Sequence, residues 1–302
     1  MKILNFGSCN IDYVYSLEHI VQQGETIASE NMEIFPGGKG LNQSIAAARA
    51  GAEIYHAGCI GEDGQLLYDI IQNSGVKLDY LNRVNAKNGH AIIQLDKNAQ
   101  NCIIIYKGTN GMLSKEYIDG VLDNFSKGDI LMLQNEVNNI SYIIDRAHSI
   151  GMQTVFNPSP FTEELKKIDL NKILYLVLNE VEAKGFFKTD NINEISEQIK
   201  TVYPELKVVL TLGAKGCAFA DETGVLSCPA FKVKAVDTTA AGDTFTGYFV
   251  TSVAKGIEYS AALKIASAAS ALAVSKMGAA PSIPTIDEVK TALENLEPQK
   301  NF

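Results

Sequence analysis

Short apolar runs and amphipathic stretches alternate along most of this chain. Residues 2–6, 53–59, 129–133, 153–156, 173–178 and 207–212 read as strands. Between them, residues 41–50, 65–73 and 140–150 carry helical spacing. Leu41, Ile45 and Ala48 share one face of the first helix, and Gly51 suits its C-terminal cap. Strands separated by helices of this length need right-handed crossovers. The expectation is a mainly parallel sheet covered on both faces.

Two stretches break that rhythm. Residues 90–96 and 101–106 are β-rich and are separated by Lys97-Asn98-Ala99-Gln100, which predicts a hairpin. Residues 26–35 form another extended segment. Pattern alone allows a small sheet outside the main one or an antiparallel edge on it. From Thr244 onward the chain is mainly helical, and residues 261–276 are rich in Ala and Ser, which permits close helix packing.

Composition narrows the class. With 302 residues, 46% hydrophobic and 20% charged, the chain has material for a full globular core. Its net charge of -9 argues against nucleic-acid or anionic-membrane partners, which need clustered cations. No apolar run approaches the ~18 residues of a membrane span, and Asp12 arrives before a signal-peptide core could form. The five cysteines (Cys9, Cys59, Cys102, Cys217, Cys228) are scattered without a C-x-x-C pair, which suits a reduced cytoplasm. His19, His56, His90 and His148 lack metal-ligand spacing. Chemistry here falls to Asp, Glu, Asn, Lys and backbone amides.

Ligands of parallel sheets bind at the carboxyl ends of strands, so the segments after strands are the candidates. In Gly7-Ser8-Cys9-Asn10-Ile11-Asp12, Asn10 and Asp12 could face one side and hydrogen-bond a polyol; turn chemistry accounts for them equally well. Pro36-Gly37-Gly38-Lys39-Gly40-Leu41-Asn42-Gln43 is a glycine-rich turn opening a helix, which favours close approach of a polar or anionic group. It is not a Walker A loop, because Gly40 follows Lys39, and no GxGxxG fingerprint occurs. Gln134-Asn135-Glu136 and Asn157-Pro158-Ser159-Pro160 follow adjacent strands and suit the rim of a cleft. Asn179 and Glu182 are one helical turn apart; they suit a water-shelled Mg²⁺, although on the residues alone a helix N-cap with acidic residues complementing the helix dipole is the better reading. Thr211-Leu212-Gly213-Ala214-Lys215-Gly216 reads as a nucleotide loop or a plain hairpin. Asp237-Thr238-Thr239-Ala240-Ala241-Gly242-Asp243 leads into a helix. Free N–H groups of Ala241, Gly242 and Asp243 would form an anion hole beside a carboxylate, the pairing that phosphoryl transfer needs.

Gly38-Lys39-Gly40-Leu41-Asn42-Gln43 and Asp237-Thr238-Thr239-Ala240-Ala241-Gly242-Asp243 together resemble the two signatures of the ribokinase-like (PfkB-type) carbohydrate kinases, with every motif in family order. The resemblance implies an α/β fold: a three-layer α/β/α sandwich with a mainly parallel central sheet and a small β-sheet lid. It implies one domain over residues 1–302, with lid segments at about 11–36 and 89–108. The implied reaction is ATP-dependent phosphorylation of a sugar's primary hydroxyl. Gly89-His90-Ala91-Ile92-Ile93-Gln94, Gln100-Asn101-Cys102 and Gly278-Ala279-Ala280-Pro281-Ser282-Ile283-Pro284 resemble the ribose-phosphorylating branch, so D-ribose is the expected acceptor. A nucleoside, deoxyribose, fructose or ketodeoxygluconate is the alternative on the same fold. A non-catalytic sugar or nucleotide sensor is the reading from another class.

Roles carry over by position. Asn10, Asp12, Gly38, Lys39, Asn42 and Glu136 match the sugar-binding set. Asp243 matches the catalytic base, with amides of Ala240, Ala241 and Gly242 as the anion hole. Asn179 and Glu182 match the motif that organises Mg²⁺; Thr211, Gly213 and Gly216 match the nucleotide loop. Asp237, Thr239, Ala273, Lys276, Gly278 and Ser282 match a monovalent-cation site, K⁺ being the expected ion. Ser267 stands near the adenine position where family members often carry His or Asn. Glu136 lacks the usual Leu before it. Only Arg49, Arg83 and Arg146 are arginines, which argues against an already phosphorylated sugar as substrate. A homodimer through the lids is also implied.

Overall fold

The computed structural model describes residues 1–98 and 100–299. Its strands are β1 (Ile3–Phe6), β2 (Asn10–Leu17), β3 (Asn31–Gly37), β4 (Ile54–Ile60), β5 (Lys77–Arg83), β6 (Gly89–Asp96), β7 (Asn101–Tyr106), β8 (Ile130–Gln134), β9 (Gln153–Asn157), β10 (Tyr175–Asn179), β11 (Lys207–Thr211), β12 (Gly216–Asp221) and β13 (Gly224–Pro229). The helices are α1 (Lys39–Arg49), α2 (Gln65–Asn73), α3 (Lys115–Leu122), α4 (Ile140–Ile150), α5 (Glu180–Phe187), α6 (Ile192–Val202), α7 (Ala241–Ala254), α8 (Tyr259–Val274) and α9 (Ile286–Asn295).

Among the described residues, nine strands form the main sheet in the order β13-β12-β11-β10-β9-β8-β1-β4-β5. All its pairings are parallel except β11 with β12 and β12 with β13. Alternation along the strands sends residues to two cores. Ile3, Ile130, Met132, Val177 and Val209 join α1, α7 and α8 on one face. Leu4, Phe6, Leu131, Leu133, Leu176 and Leu178 join α3, α4 and α6 on the other. Helices on both faces therefore bury both rows of the central strands, whereas the edge strands β5 and β13 stay partly exposed.

One feature departs from an apolar core. On the α1 face near the carboxyl ends of β1, β4 and β8, the buried positions are Asn5, His56 and Gln134. Polar groups there need partners. Asn5 Nδ2 donates to the Gly40 carbonyl and to Ser44 Oγ, both at 2.8 Å, and Ser44 Oγ lies 2.8 Å from His56 Nδ1. The α1 backbone comes this close because neither side carries a Cβ. A methyl built on Gly40 would lie 2.3 Å from the Gly7 Cα.

The second sheet is separate, which decides between the two arrangements the sequence left open. Its order is β3-β2-β6-β7, with β2 parallel to β6 and the outer pairs antiparallel. The hairpin of β6 and β7 forms as expected; Ala99 in its turn lies outside the described residues. Of the extended stretch at residues 26–35, only Asn31 onward is strand, because Gly24 turns the chain at φ +80° and the ladder with β2 starts at Ser16 opposite Asn31. β2 itself was legible only as a loop after β1.

Candidate active site

Both sheets and the N-termini of α1, α5 and α7 surround a cleft of about 740 Å³. Asn10, Asp12, Gly38, Lys39, Asn42, Glu136, Asn179, Glu182, Thr211, Gly213, Thr239, Ala240, Ala241, Gly242 and Asp243 all line it. A second cavity of about 300 Å³ adjoins it through Thr211, Gly213, Thr238, Ala241 and Gly242. Gly216 and Ser267 lie there, among Phe231, Val233, Ala235, Phe245, Ala271 and Val274. The remaining candidates, Asp237, Ala273, Lys276, Gly278 and Ser282, line neither cavity.

The polar end of the cleft is closely wired. Asn42 Nδ2 donates to Asp243 Oδ2 at 3.1 Å, and Gln43 Nε2 donates to Asp243 Oδ1 at 3.0 Å. α7 reaches α1 this closely at Gly247, where a Cβ would lie 2.5 Å from the Ala46 Cβ. Glu136 accepts from the Lys39 amide at 2.9 Å and from Ser8 Oγ. Asn110 donates to Asn10 Oδ1 at 2.7 Å and accepts from the Cys9 amide at 2.9 Å. Asn10 therefore keeps its own N–H groups for the cleft. Asn42 Oδ1 is buried and has no hydrogen-bond partner among the described residues.

Charge in the cleft is mostly negative. Asp12, Glu136, Glu180, Glu182 and Asp243 line it, and Lys39 is its one cation among the described residues. Burial, and then the nearby Glu136 charge, raise the Asp12 carboxyl to about 7. Burial also raises Glu136 and Glu182, although hydrogen bonds and Lys39 offset part of this. Asp243 is the main cause of the raised Lys39 ammonium, with Glu136 and Glu182 adding to it against the effect of burial.

Two expectations need adjustment. Asn179 and Glu182 form a complete capping box: Asn179 Oδ1 accepts from the amides of Val181 and Glu182, and Glu182 Oε2 accepts from the Asn179 amide, all at 2.9 Å. The N-cap reading of this pair therefore holds; Ser159 also hydrogen-bonds the Glu182 carboxylate, and the Asn179 NH₂ has no partner among the described residues. Ahead of α7, the Ala241 amide is not free, because the Thr238 turn brings its carbonyl within 3.3 Å. The amides of Gly242 and Asp243 find no acceptor among the described residues. Ala240, the N-cap, holds φ 58°, a left-handed conformation that costs a non-glycine residue about 1–2 kcal/mol. The Thr211–Gly216 segment is both things at once: a hairpin into β12 and a wall of both cavities. Thr211 Oγ1 itself donates to the Leu178 carbonyl at 3.0 Å.

Behind α7, Asp237, Thr239 and Gly278 are joined. Asp237 Oδ1 accepts from the Thr239 amide (2.9 Å) and hydroxyl (2.6 Å), and Oδ2 from the Gly278 amide (2.9 Å). Burial would raise this carboxyl, but those three donors hold it below the usual range. Lys276 turns its ammonium to Glu288 at 2.9 Å, and Ser282 Oγ donates to the Ala279 carbonyl at 2.8 Å.

Sequence reasoning assigned no role to Gln43, Asn157, Ser8 or Asn110. Gln43 and Asn157 stood inside motifs already noted. Asn110, in a single turn after β7, gave no signal.

A glycine-rich helix start, an amide-lined helix N-terminus with a carboxylate, and a polyol-sized polar cleft under a separate sheet define a phosphoryl-transferring sugar enzyme on an α/β/α fold. The family model of the pfkB family carbohydrate kinases matches residues 1–286, and the chain belongs to that family. The chain is 33% identical to ribokinase of Bacillus subtilis (strain 168), covering 97% of this chain and 99% of that protein. It is 36% identical to ribokinase of Staphylococcus aureus (strain COL), covering 95% and 98%. Deoxyribokinase of Salmonella typhi is 29% identical over 95% and 97%. Among solved structures, ribokinase of Cryptococcus neoformans in complex with ADP superposes with a TM-score of 0.86 at 32% identity, covering 96% and 99%. Arabidopsis thaliana ribokinase complexed with ribose and ATP gives 0.83 at 30%, covering 97% and 98%.

Proposed function

We propose that this carbohydrate kinase moves the γ-phosphoryl group of ATP to the primary hydroxyl of D-ribose. The observation that carries this reading is the position of Asp243. It lies where the polar cleft meets the second cavity, beside the open amides of Gly242 and Asp243. The sugar occupies the cleft under the lid sheet, with Asp12 and Glu136 accepting from its hydroxyls and Asn42 beside them on the cleft wall. Asn10 and Lys39 donate to its oxygens. The nucleoside of ATP fills the apolar second cavity, with the phosphates passing Gly213 and Gly242. The acceptor oxygen attacks the γ-phosphorus as its bond to the bridging oxygen breaks. Asp243 takes the hydroxyl proton, and ADP leaves with the bond electrons. The two open amides face the charge on the transferring group.

A polyanion entering a cleft with five carboxylates and one lysine needs a counter-cation. The donor set fits Mg²⁺: the Glu182 carboxylate and the Asn179 side chain, both lining the cleft, would hold it through water and phosphate oxygens. When bound it supplies charge neutralisation of the phosphates. For K⁺, Asp237, Thr239, Gly278 and Ser282 offer oxygens, with backbone carbonyls of Ala273 and Lys276. The hydrogen-bonded Asp237–Thr239–Gly278 loop directly precedes the open amides, so an ion there tunes their field.

The lid supports a homodimer. Register places Asp12, Ala91 and Ile105 across one face and Ile34, Tyr13, Ile92 and Ile104 across the other. The first face lines the cleft; on the second, Ile34 and Ile104 stand about half exposed. An apolar row on a four-stranded sheet suits a second copy of the chain.

The test is ADP release from Mg²⁺-ATP, with and without K⁺, across ribose, deoxyribose, fructose, ketodeoxygluconate, adenosine and pseudouridine. Ribose-dependent turnover raised by K⁺ is expected. Turnover on deoxyribose alone moves the specificity to the second reading, which the Salmonella relative favours. Silence on every acceptor with ATP still bound refutes the kinase assignment.

A further inference from the structure

The polar ends of β8 and β9, and the polar row under α1, take no part in the reaction above. They converge on one side chain. Gln43 is 1% exposed, lines neither cavity and touches no substrate position. Its Nε2 has two hydrogens. One goes to Asp243 Oδ1 at 3.0 Å and the other to Asn157 Oδ1 at 3.1 Å. Its Oε1 accepts from Gln134 Nε2 at 2.7 Å.

The orientation of that amide is forced from both ends. A backbone carbonyl only accepts, so Asn5 must turn its NH₂ to the Gly40 carbonyl (2.8 Å) and its oxygen to Gln134. Gln134 then turns its NH₂ to Asn5 Oδ1 at 3.0 Å and to Gln43. From the other side, Asn157 must give its NH₂ to the Val177 carbonyl at 2.9 Å, which turns its oxygen to Gln43. Gln43 can satisfy both neighbours only by presenting Nε2 to Asp243. Strands β1, β8, β9 and β10 therefore dictate which face of this amide meets the carboxylate. Asn42 holds the other carboxylate oxygen.

We propose that Gln43 is a positioning residue for phosphoryl transfer: it fixes the plane of the Asp243 carboxylate, and the strand-end amides fix Gln43. This rests on the reading of Asp243 as the base. A carboxylate free to rotate presents its lone pair to the acceptor hydroxyl only part of the time, and small misplacements of reacting groups are costly.

Two substitutions test it. Gln43→Met keeps the length and removes the amide. It should lower kcat by about 10- to 100-fold and leave both KM values within about threefold. Gln43→Glu keeps the shape, but its ionised form has no hydrogen to give. Below its own pKa it donates again, so its kcat relative to wild type should rise as the pH falls from about 8 to about 5.5. The charged group in contact with this position is Asp243 on α7; Lys39 on α1, which feels Asp243, Glu136 after β8 and Glu182 on α5, belongs to the same cluster, and His56 lies beyond Ser44. All are present in wild type, so a change in the ratio traces to the new carboxyl at residue 43 and its contact with Asp243. A merely structural role gives a ratio flat with pH, and melting curves check that each variant folds. The proposal fails if Gln43→Met turns over within about threefold of wild type, or if the Gln43→Glu ratio is flat, while Asp243→Asn is inactive. If Met is not tolerated, the Glu profile decides alone. Activity in Asp243→Asn instead removes the base itself, and Gln43 then has nothing to position.

Discussion

The two cavities of the site are built by opposite means. The larger cleft is specified by side chains: Asn10, Asp12, Asn42, Glu136 and Asp243 are each hydrogen-bonded or charged, and several are oriented by second partners. The smaller cavity is made from small and apolar residues and from backbone at Gly213, Gly216 and Gly242. Three of its four side-chain hydroxyls are engaged elsewhere, Thr211 with the Leu178 carbonyl, Ser270 with the Ala241 carbonyl and Ser267 with Cys217 Sγ at 3.4 Å; the fourth, Thr238, stands at the border with the cleft. Hydrogen-bonded sites reject near-analogues strongly, whereas apolar cavities discriminate by shape alone. The side facing the sugar should therefore be selective and easily broken by one polar deletion. The nucleotide side should tolerate polar deletions and yield only to bulk.

The largest effect is expected where the two meet. Asp243→Asn should lower kcat about 10²- to 10⁴-fold while ATP binding, measured by calorimetry, persists. Asp12→Ala comes next. Losing a charged acceptor for sugar hydroxyls, at about 1.5–3 kcal/mol, should raise the sugar KM at least about tenfold and leave the ATP KM unchanged. Ala235→Trp reverses that split. Ala235 lines the mouth of the smaller cavity from an exposed loop, so added bulk should raise the ATP KM about tenfold with the sugar KM intact. Sugar binding should also depend on pH. The Asp12 carboxyl, raised to about 7, accepts more strongly once ionised, so the sugar KM should fall as pH rises through that value. The fold responds in the opposite sense. The native state holds this proton longer than the unfolded chain, so at this position stability declines as pH rises from 3.8 to about 7. The smallest effect belongs to Ser267→Ala, whose ATP KM should stay within about twofold because no lining hydrogen bond is lost. A large change there would overturn the contrast.

The same contrast marks what was readable in advance. The six apolar strands and the helices after β3, β4 and β8 announced themselves by period, because both faces of the sheet are buried. The glycine-rich start of α1 and the small-residue approach to α7 were legible because few other local demands explain them. β2 was not, since Tyr13, Val14 and Tyr15 follow Asn10 and Asp12 in what reads as a turn. Its strand character comes from pairing with β6, some eighty residues away. The Ala241 amide was expected to be free, but its engagement depends on how tightly the Thr238 turn closes, which sequence does not encode. The ladder from Asn5 through Gln134 to Gln43 joins residues far apart in the chain. Taken singly, Asn5 is a polar residue in an apolar run, and Gln134 and Gln43 are polar residues among others at a strand end and a helix start.

The lid strand β7 has no buried residue along its length, whereas the strands at the centre of the main sheet are almost wholly enclosed. Regions with so little packing open at a small fraction of the global unfolding free energy. In an isolated chain β7 should fray at temperatures that leave the α/β/α core intact. Heat would then silence turnover before any melting curve registers a change, and the gap between inactivation and melting would report how firmly the lid is held.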